Sequence, residues 1–448
     1  MKMKMSEDAN VEMAPTVETP RRQTAAPSGA RITLAMLCFV YVLNFLDRQL
    51  ISILAKPIQD GLKISDGQLG LLTGFYFALF YCFIAIPIGW LADRTSRVRV
   101  LAIACALWSG ATAACGLVGN YGQLVVARMM VGVGEAGGVP PSYAIISDSF
   151  PRERRTTAMA IFNLGPPIGS ALGITFGASL ASAFSWRIPF YVIGVIGVVA
   201  AVAVHLIVRE PKRGQMDSPE RSMRKDAAGA GLIATITQFF SNPLLLMASL
   251  ASGAGNFITY GLLNFTTLFL MREKGMQLAD VAIWYALVVG IGMSAGIYAS
   301  GRIVDRFAAR SKTAYAIVPA ASLLLALPFF LGFAWAPTWQ LSLLFLLVPM
   351  FLNSFFLSAT VTFVQSEVPA ERRVISGALL LLVMNFIGLG LGPTYVGMAS
   401  DYFRPVHGAH ALRAAYYALA PMYLIGAALF LVLARLIRRD ERLHEGAL

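Results

Sequence analysis

The sequence predicts an all-α membrane protein of twelve transmembrane helices in two pseudo-symmetric six-helix halves. Three observations lead there. Hydrophobic residues fill 57% of the 448 positions against 13% charged, and the mean hydropathy is +0.66, whereas a soluble globular chain is about one-quarter charged. The apolar residues gather into runs of about 20, the length that spans a bilayer. Two loop motifs recur about half a chain apart.

The runs fall at 32–54, 69–91, 98–118, 123–147, 156–181, 187–208, 244–271, 280–303, 313–334, 340–364, 374–399 and 414–436. An even number of passes returns both termini to one side, and 27 of the 36 Lys and Arg lie on that side, against seven opposite and two inside the membrane. The positive-inside rule then places both termini in the cytoplasm. The net charge of +12 reads as topology and contact with anionic membrane lipids, not as nucleic-acid binding. Residues 1–30 carry no apolar core and are expected to form a disordered cytoplasmic tail, not a signal peptide. The N-terminal half is 31–209, the charge-rich stretch 210–231 a cytoplasmic linker, 232–439 the C-terminal half, and 440–448 a second cytoplasmic tail. Short outer loops and a sole glycosylation sequon (Asn264 to Thr266) inside a helix point to a bacterial inner membrane. The four cysteines lie within spans, away from any Cys/His pairing, so neither disulfide, metal nor cofactor is expected.

The halves echo each other. Gly89-Trp90-Leu91-Ala92-Asp93-Arg94 follows the second run and Gly301-Arg302-Ile303-Val304-Asp305-Arg306 the eighth; Pro151-Arg152-Glu153-Arg154-Arg155, preceded by Asp148, follows the fourth and Pro369-Ala370-Glu371-Arg372-Arg373 the tenth. Such repetition indicates a duplicated six-helix unit. The G-x-x-x-D-R loop resembles the signature of the major facilitator superfamily (MFS), and its recurrence strengthens the likeness. The resemblance implies alternating access, with these loops as gates: the glycines allow close helix approach, and Asp93 and Asp305 reach the positive ends of helices in the other half. Arg94, Arg97, Arg306, Arg154 and Arg155 belong to the same gating set. In the fifth run Gly165, Gly169, Gly173 and Gly177 form a strip with Pro166 and Pro167, which reads equally as close packing and as the superfamily's antiporter motif.

Charge inside the membrane is the most informative feature. Asp47 and Arg48 lie within the first run and Arg128 and Glu135 within the fourth, where an ionised group is costly unless it faces a cavity or a partner. By helical rise, Asp47 sits about 22 Å in from the cytoplasm and Arg128 about 9 Å in from outside, so the two land at similar depth in a core of about 30 Å. Arg128 and Glu135 are seven apart and share a helix face, as do Asn44, Asp47 and Arg48. A static ion-pair network accounts for these residues. So does a proton-coupled switch in which an arginine moves between two carboxylates, and the second half, lacking central charge, favours the switch. That half offers Asn256, Thr259, Tyr260 and Asn264 on one run, Asn353, Phe356 and Thr360 on another and Asn385 on the eleventh: a neutral, aromatic and amide wall facing a charged one. This asymmetry suits an amphipathic substrate.

Asn44-Phe45-Leu46-Asp47-Arg48, Ile58-Gln59, Gly70-Leu71-Leu72 and Arg128-Met129-Met130-Val131-Gly132-Val133-Gly134-Glu135-Ala136, followed by Asp148-Ser149-Phe150, resemble the spinster branch of the superfamily. The resemblance implies transport of sphingosine 1-phosphate or lysophospholipids. The expected protein is a monomeric, proton-coupled transporter of an amphipathic lipid or lipid-like anion, with protons and membrane lipids as its other partners. Phe45 departs from the branch, where many relatives carry Tyr, and organic-anion symporters share the Asn-x-x-Asp-Arg pattern. A small-anion symporter or drug exporter of the same fold therefore stays open. A lipid hydrolase does not fit, since the sequence presents no Ser/His/Asp or metal-ligand cluster.

Overall fold

A computed structural model of the chain describes residues 29–213, 232–308, 310–369 and 372–445. Most of the expected tails and linker lie outside the described residues. The twelve expected passes are all helical. In order they are α1 (Ala30–Ile53), α2 (Asp66–Thr73 continued by Phe75–Arg94), α3 (Arg97–Leu117), α4 (Tyr121–Glu135 and Val139–Ser149), α5 (Arg152–Phe162 and Gly165–Ala183) and α6 (Ile188–Ile207). The second half follows as α7 (Pro243–Lys274), α8 (Leu278–Asp280, a π-helical turn Val281–Tyr285, and Ala286–Ala308), α9 (Ala314–Trp335), α10 (Trp339–Leu352 and Phe355–Glu367), α11 (Arg373–Asn385, a π-helical turn Phe386–Leu391, and Gly392–His407) and α12 (Ala411–Glu445). Two short helices were not expected: Ala55–Leu62 after α1 and Leu232–Ser241 before α7. Residues 440–445, expected in the tail, continue α12.

The duplication is visible in the packing. Within the first half α1 packs on α5, α2 on α4 and α3 on α6; in the second, α7 packs on α11, α8 on α10 and α9 on α12. Small residues set these contacts, as close approach between membrane helices requires. The strip on α5 is one instance. A Cβ on Gly169 would meet the Val42 carbonyl and lie 2.8 Å from Phe45 Cβ, and one on Gly173 would lie 2.7 Å from the Leu46 carbonyl. The strip therefore packs against α1 and holds it at backbone distance.

The halves meet along α1 with α7, α2 with α11 and α5 with α8. Contacts between them concentrate toward the face opposite the chain termini, the far face. Gly70 and Gly74 of α2 lie against the carbonyls of Pro393 and Gly390, the Phe75 N–H donates to Thr394 Oγ1 at 3.2 Å, and Thr175 Oγ1 donates to the Ala282 carbonyl at 2.9 Å. Toward the terminal face Ile86 and Trp90 of α2 and Tyr298 of α8 are exposed, and a Cβ built on Gly89 or Gly301 meets nothing within 4 Å. Among the described residues, the hydrogen bonds that join the halves lie toward the far face.

Candidate functional site

Breaks in α4 bring charge into the first half. Its first helix ends at Glu135, and Gly137 and Gly138 precede the second. Gly132 lies 2.8 Å, by a built Cβ, from the Phe77 carbonyl, and Gly134 2.6 Å from the Trp108 backbone nitrogen. Side chains at these positions would push α4 off α2 and α3, so the glycines are what let Glu135 sit fully buried.

Arg48 Nε donates to Glu135 Oε2 at 2.5 Å. Its guanidinium also lies 4.6 Å from the Tyr81 ring, 4.9 Å from Phe45 and 5.3 Å from Phe77. Arg128 Nη1 stands 3.9 Å from Asp47 Oδ2, with Phe77 at 4.9 Å on its face, and Thr112 Oγ1 donates to the same Asp47 oxygen at 2.8 Å. The shared depth of Asp47 and Arg128 is therefore realised as a loose pair, while Glu135 is held by Arg48. Two charge pairs inside one half offset much of their desolvation cost, and the aromatic faces supply further attraction to the cations. Both pairs are incompletely satisfied. Asp47 Oδ1, Arg128 Nε and Nη1, Glu135 Oε1 and both polar atoms of Asn44 have no hydrogen-bond partner among the described residues. Thr112, Phe77 and Tyr81 were not legible as site residues, because a lone Thr or aromatic in an apolar run carries no spacing signal.

From the second half, Tyr260 reaches across to lie beside Arg48. It and Asn385 are half-buried. The other wall residues lie in joints between helices. Asn256 Nδ2 donates to the Met384 carbonyl at 3.1 Å; Asn264 accepts from Ser52 Oγ at 2.6 Å, joining α7 to α1; Asn353 Nδ2 donates to Tyr423 at 3.1 Å. Phe356 and Thr360 are buried, the Phe356 ring packing over Gly255 of α7.

At the terminal face, the expected crossing of Asp305 to Arg154 is not made among the described residues. Nothing lies within 4 Å of a Cβ built on Gly89 or Gly301, Asp305, Arg306 and Arg154 are exposed, and Arg155 is half-buried. The side chain of Asp93 lies outside the described residues. Arg94 stacks on Trp90 at 3.9 Å. Arg97 serves its own half. It pairs with Asp148 at 2.5 Å and Glu210 at 3.0 Å and donates to the Pro211 carbonyl at 2.9 Å. Glu210 in turn accepts from the Ser96 hydroxyl at 2.7 Å and the Val98 N–H at 2.9 Å, so the start of the linker caps α3. The second half repeats the pair as Lys312 with Glu367 at 3.0 Å.

The far face carries a site that the sequence did not disclose. Asp66, fully buried at the start of α2, accepts from Arg272 Nη1 and Nη2 at 2.7 and 2.9 Å, Arg404 Nη2 at 2.8 Å, Ser400 Oγ at 2.6 Å and Gln59 Nε2 at 2.6 Å. Asp401 accepts from the Asp66 and Gly67 N–H groups at 3.1 and 2.8 Å. This cluster ties α2 to the ends of α7 and α11 and so latches the halves together. Asp66 lay just before the predicted run, where an acid reads as an ordinary loop residue.

Comparison with known proteins agrees with this architecture. An MFS-type efflux pump of Mycolicibacterium smegmatis is 31% identical over 95% of this chain and 97% of its own length. The zebrafish (Danio rerio) sphingosine-1-phosphate transporter SPNS2 is 30% identical over 55% of this chain and 49% of its own. Among solved structures, a bacterial homologue of the human lysosomal transporter spinster, in an inward-facing and unoccupied conformation, superposes with a TM-score of 0.85 at 27% identity, covering 93% of this chain and 99% of that one. The profile of the Major Facilitator Superfamily matches residues 37–393, and with its duplicated helix pairing and its likeness to spinster homologues the chain belongs to that superfamily of transporters.

Proposed function

We propose that the chain is a proton-coupled transporter of an amphipathic lipid-like anion, such as a sphingolipid or lysophospholipid. The halves 31–209 and 232–439 rock about the linker 210–231 in a bacterial inner membrane, with both termini cytoplasmic and the chain acting as a monomer. The terminal face is then the cytoplasmic one, and the substrate path opens inward.

One observation carries the reading: the Arg48 guanidinium, paired with Glu135, lies at the meeting of the halves beside Tyr260. An anionic headgroup entering from the open face competes with Glu135 for Arg48. The displaced carboxylate is neutralised by a proton, and Asp47, only loosely held by Arg128, is the second proton-responsive acid. Binding and protonation are thereby coupled through one guanidinium. The apolar part of the substrate lies against the aromatic and amide wall. Asn44, Asn256, Asn264, Asn353, Thr360, Phe356 and Asn385 shape that wall directly or by fixing the helices behind it. Asp93, Asp305 and their neighbouring arginines engage across the halves once the terminal face closes.

The SPNS2 relative supports a lipid substrate, and the efflux-pump relative keeps drug or small-anion export as the second reading. Flux in liposomes with and without an imposed proton gradient tests the coupling. Asp47→Asn is expected to abolish gradient-driven flux with folding intact, and Glu135→Gln to impair it. Wild-type flux indifferent to the gradient, or full gradient dependence in Asp47→Asn, returns the charges to a static network. Competition between lysolipids and small carboxylates separates the two substrate classes.

A further inference from the structure

Helix α12 does not end where the membrane does. Its counterpart α6 stops at Ile207 after 20 residues, whereas α12 runs 35 residues to Glu445. Starting near Ala415, a core of about 30 Å is crossed by Ala434 at about 1.5 Å per residue. The remainder stands in the headgroup zone of the terminal-face leaflet, and it carries Arg435, Arg438, Arg439 and Arg442. Spacings of three and four put all four on one helix face, where they line a hollow of about 380 Å³.

We propose that this hollow binds the phosphate-bearing headgroup of an anionic membrane phospholipid. The four arginines are exposed, and none has an acidic partner among the described residues. Helical spacing turns Asp440 away from the arginine face, and both Asp440 and Glu441 lie within electrostatic reach of Lys312 between α8 and α9. Arg435 and Arg439, and Arg438 and Arg442, are like-charged neighbours four residues apart, an arrangement that weakens a helix unless an anion sits between them. The guanidinium fork matches phosphate oxygens in pairs.

What commits the site to a lipid, over free phosphate, is the surface above it. Leu424, Leu431 and Val432 are exposed, and helical spacing puts Leu424, Leu431 and Val432 on the face that the arginines continue. One continuous stripe is thus apolar at hydrocarbon depth and cationic at headgroup depth. That is the profile of a phospholipid seated lengthwise, and of the juxtamembrane basic clusters that select anionic lipids.

The test is native mass spectrometry of protein exchanged into mixed phosphatidylglycerol, cardiolipin and phosphatidylcholine, comparing wild type with the fourfold variant Arg435→Gln, Arg438→Gln, Arg439→Gln, Arg442→Gln. Wild type is expected to retain cardiolipin or phosphatidylglycerol about tenfold over the variant, and millimolar glycerol phosphate or inorganic phosphate should leave that retention unchanged. Equal retention by both proteins overturns the site, and displacement by the soluble phosphates overturns its assignment to a lipid. Should the variant fail to fold, wild type in neutral detergent supplies the reading: cardiolipin is expected to raise its melting temperature, and the absence of a shift that cardiolipin gives over phosphatidylcholine refutes the proposal.

Discussion

Replacing Asp66 by Asn should open the far face. The carboxylate is fully buried and accepts five hydrogen bonds, four of them from α7 and α11 in the other half or from Arg404 at the end of α11. Removing one partner of a buried ion pair costs about 3–5 kcal/mol, because the other charge is left without compensation. The loss is not all felt here. The Arg404 side chain is 46% exposed, so solvent screens its share, while that of Arg272 is only 20% exposed. A net bias of about 3 kcal/mol against the sealed far face is a reasonable magnitude, and at 1.36 kcal/mol per tenfold it moves the open-to-sealed ratio by about two powers of ten. Asn keeps the shape of Asp, so the change acts through charge. Spin labels at Lys63 and Gln277, both exposed on the far face, report the outcome as a distance distribution in nanodiscs. Wild type should give one short distance, and Asp66→Asn a second, longer population. An unchanged distribution in the variant would show that helix packing alone seals this face and that the latch is incidental.

Other outcomes follow from single contacts. Gly169→Ala places a methyl against the Val42 carbonyl and 2.8 Å from Phe45 Cβ; neither backbone nor β-carbon can yield, so overpacking of about 1–3 kcal/mol should lower the melting temperature and, by displacing α1, reduce flux. Tyr260→Ala should weaken long-chain substrates more than short ones, whereas Phe356→Ala, at a ring 4% exposed, should chiefly lower thermal stability; equal effects on every chain length for Tyr260 would assign it to packing as well. At Glu210 burial pushes the carboxyl up, but the Val98 N–H, the Ser96 hydroxyl and the Arg97 guanidinium outweigh it and hold the group below its ordinary 4.5. A depressed carboxyl contributes its stability above that value and loses it as the pH falls further, so the protection of amides at the start of α3, measured against their intrinsic exchange rates, should fall below about pH 4.5 in wild type and change less there in Glu210→Gln.

The sequence by itself determined the membrane character, the helical runs, the duplication and the four charges within those runs. Each of these rests on a property that survives without knowledge of neighbours: apolar length against bilayer thickness, repeated loop motifs, and the cost of charge in hydrocarbon. Helical rise even placed Asp47 and Arg128 at one level. Partner choice was another matter. Depth along a helix does not fix its rotation, so the pairing of Glu135 with Arg48, the Thr112 hydroxyl on Asp47 and the cage of Phe77 and Tyr81 emerged only once α2, α3 and α4 were packed through Gly132 and Gly134. The same limit hid the use of Asn256, Asn264 and Asn353, since an amide on a helix face looks alike whether it meets a cavity or another helix. Most of all, the sequence was silent on what joins the halves. Asp66 meets Arg272 and Arg404 across more than 200 residues of chain, and no local pattern encodes which loop ends a bundle brings together; that the far face is latched while Gly89, Gly301 and Asp305 stand apart is a property of the assembled conformation.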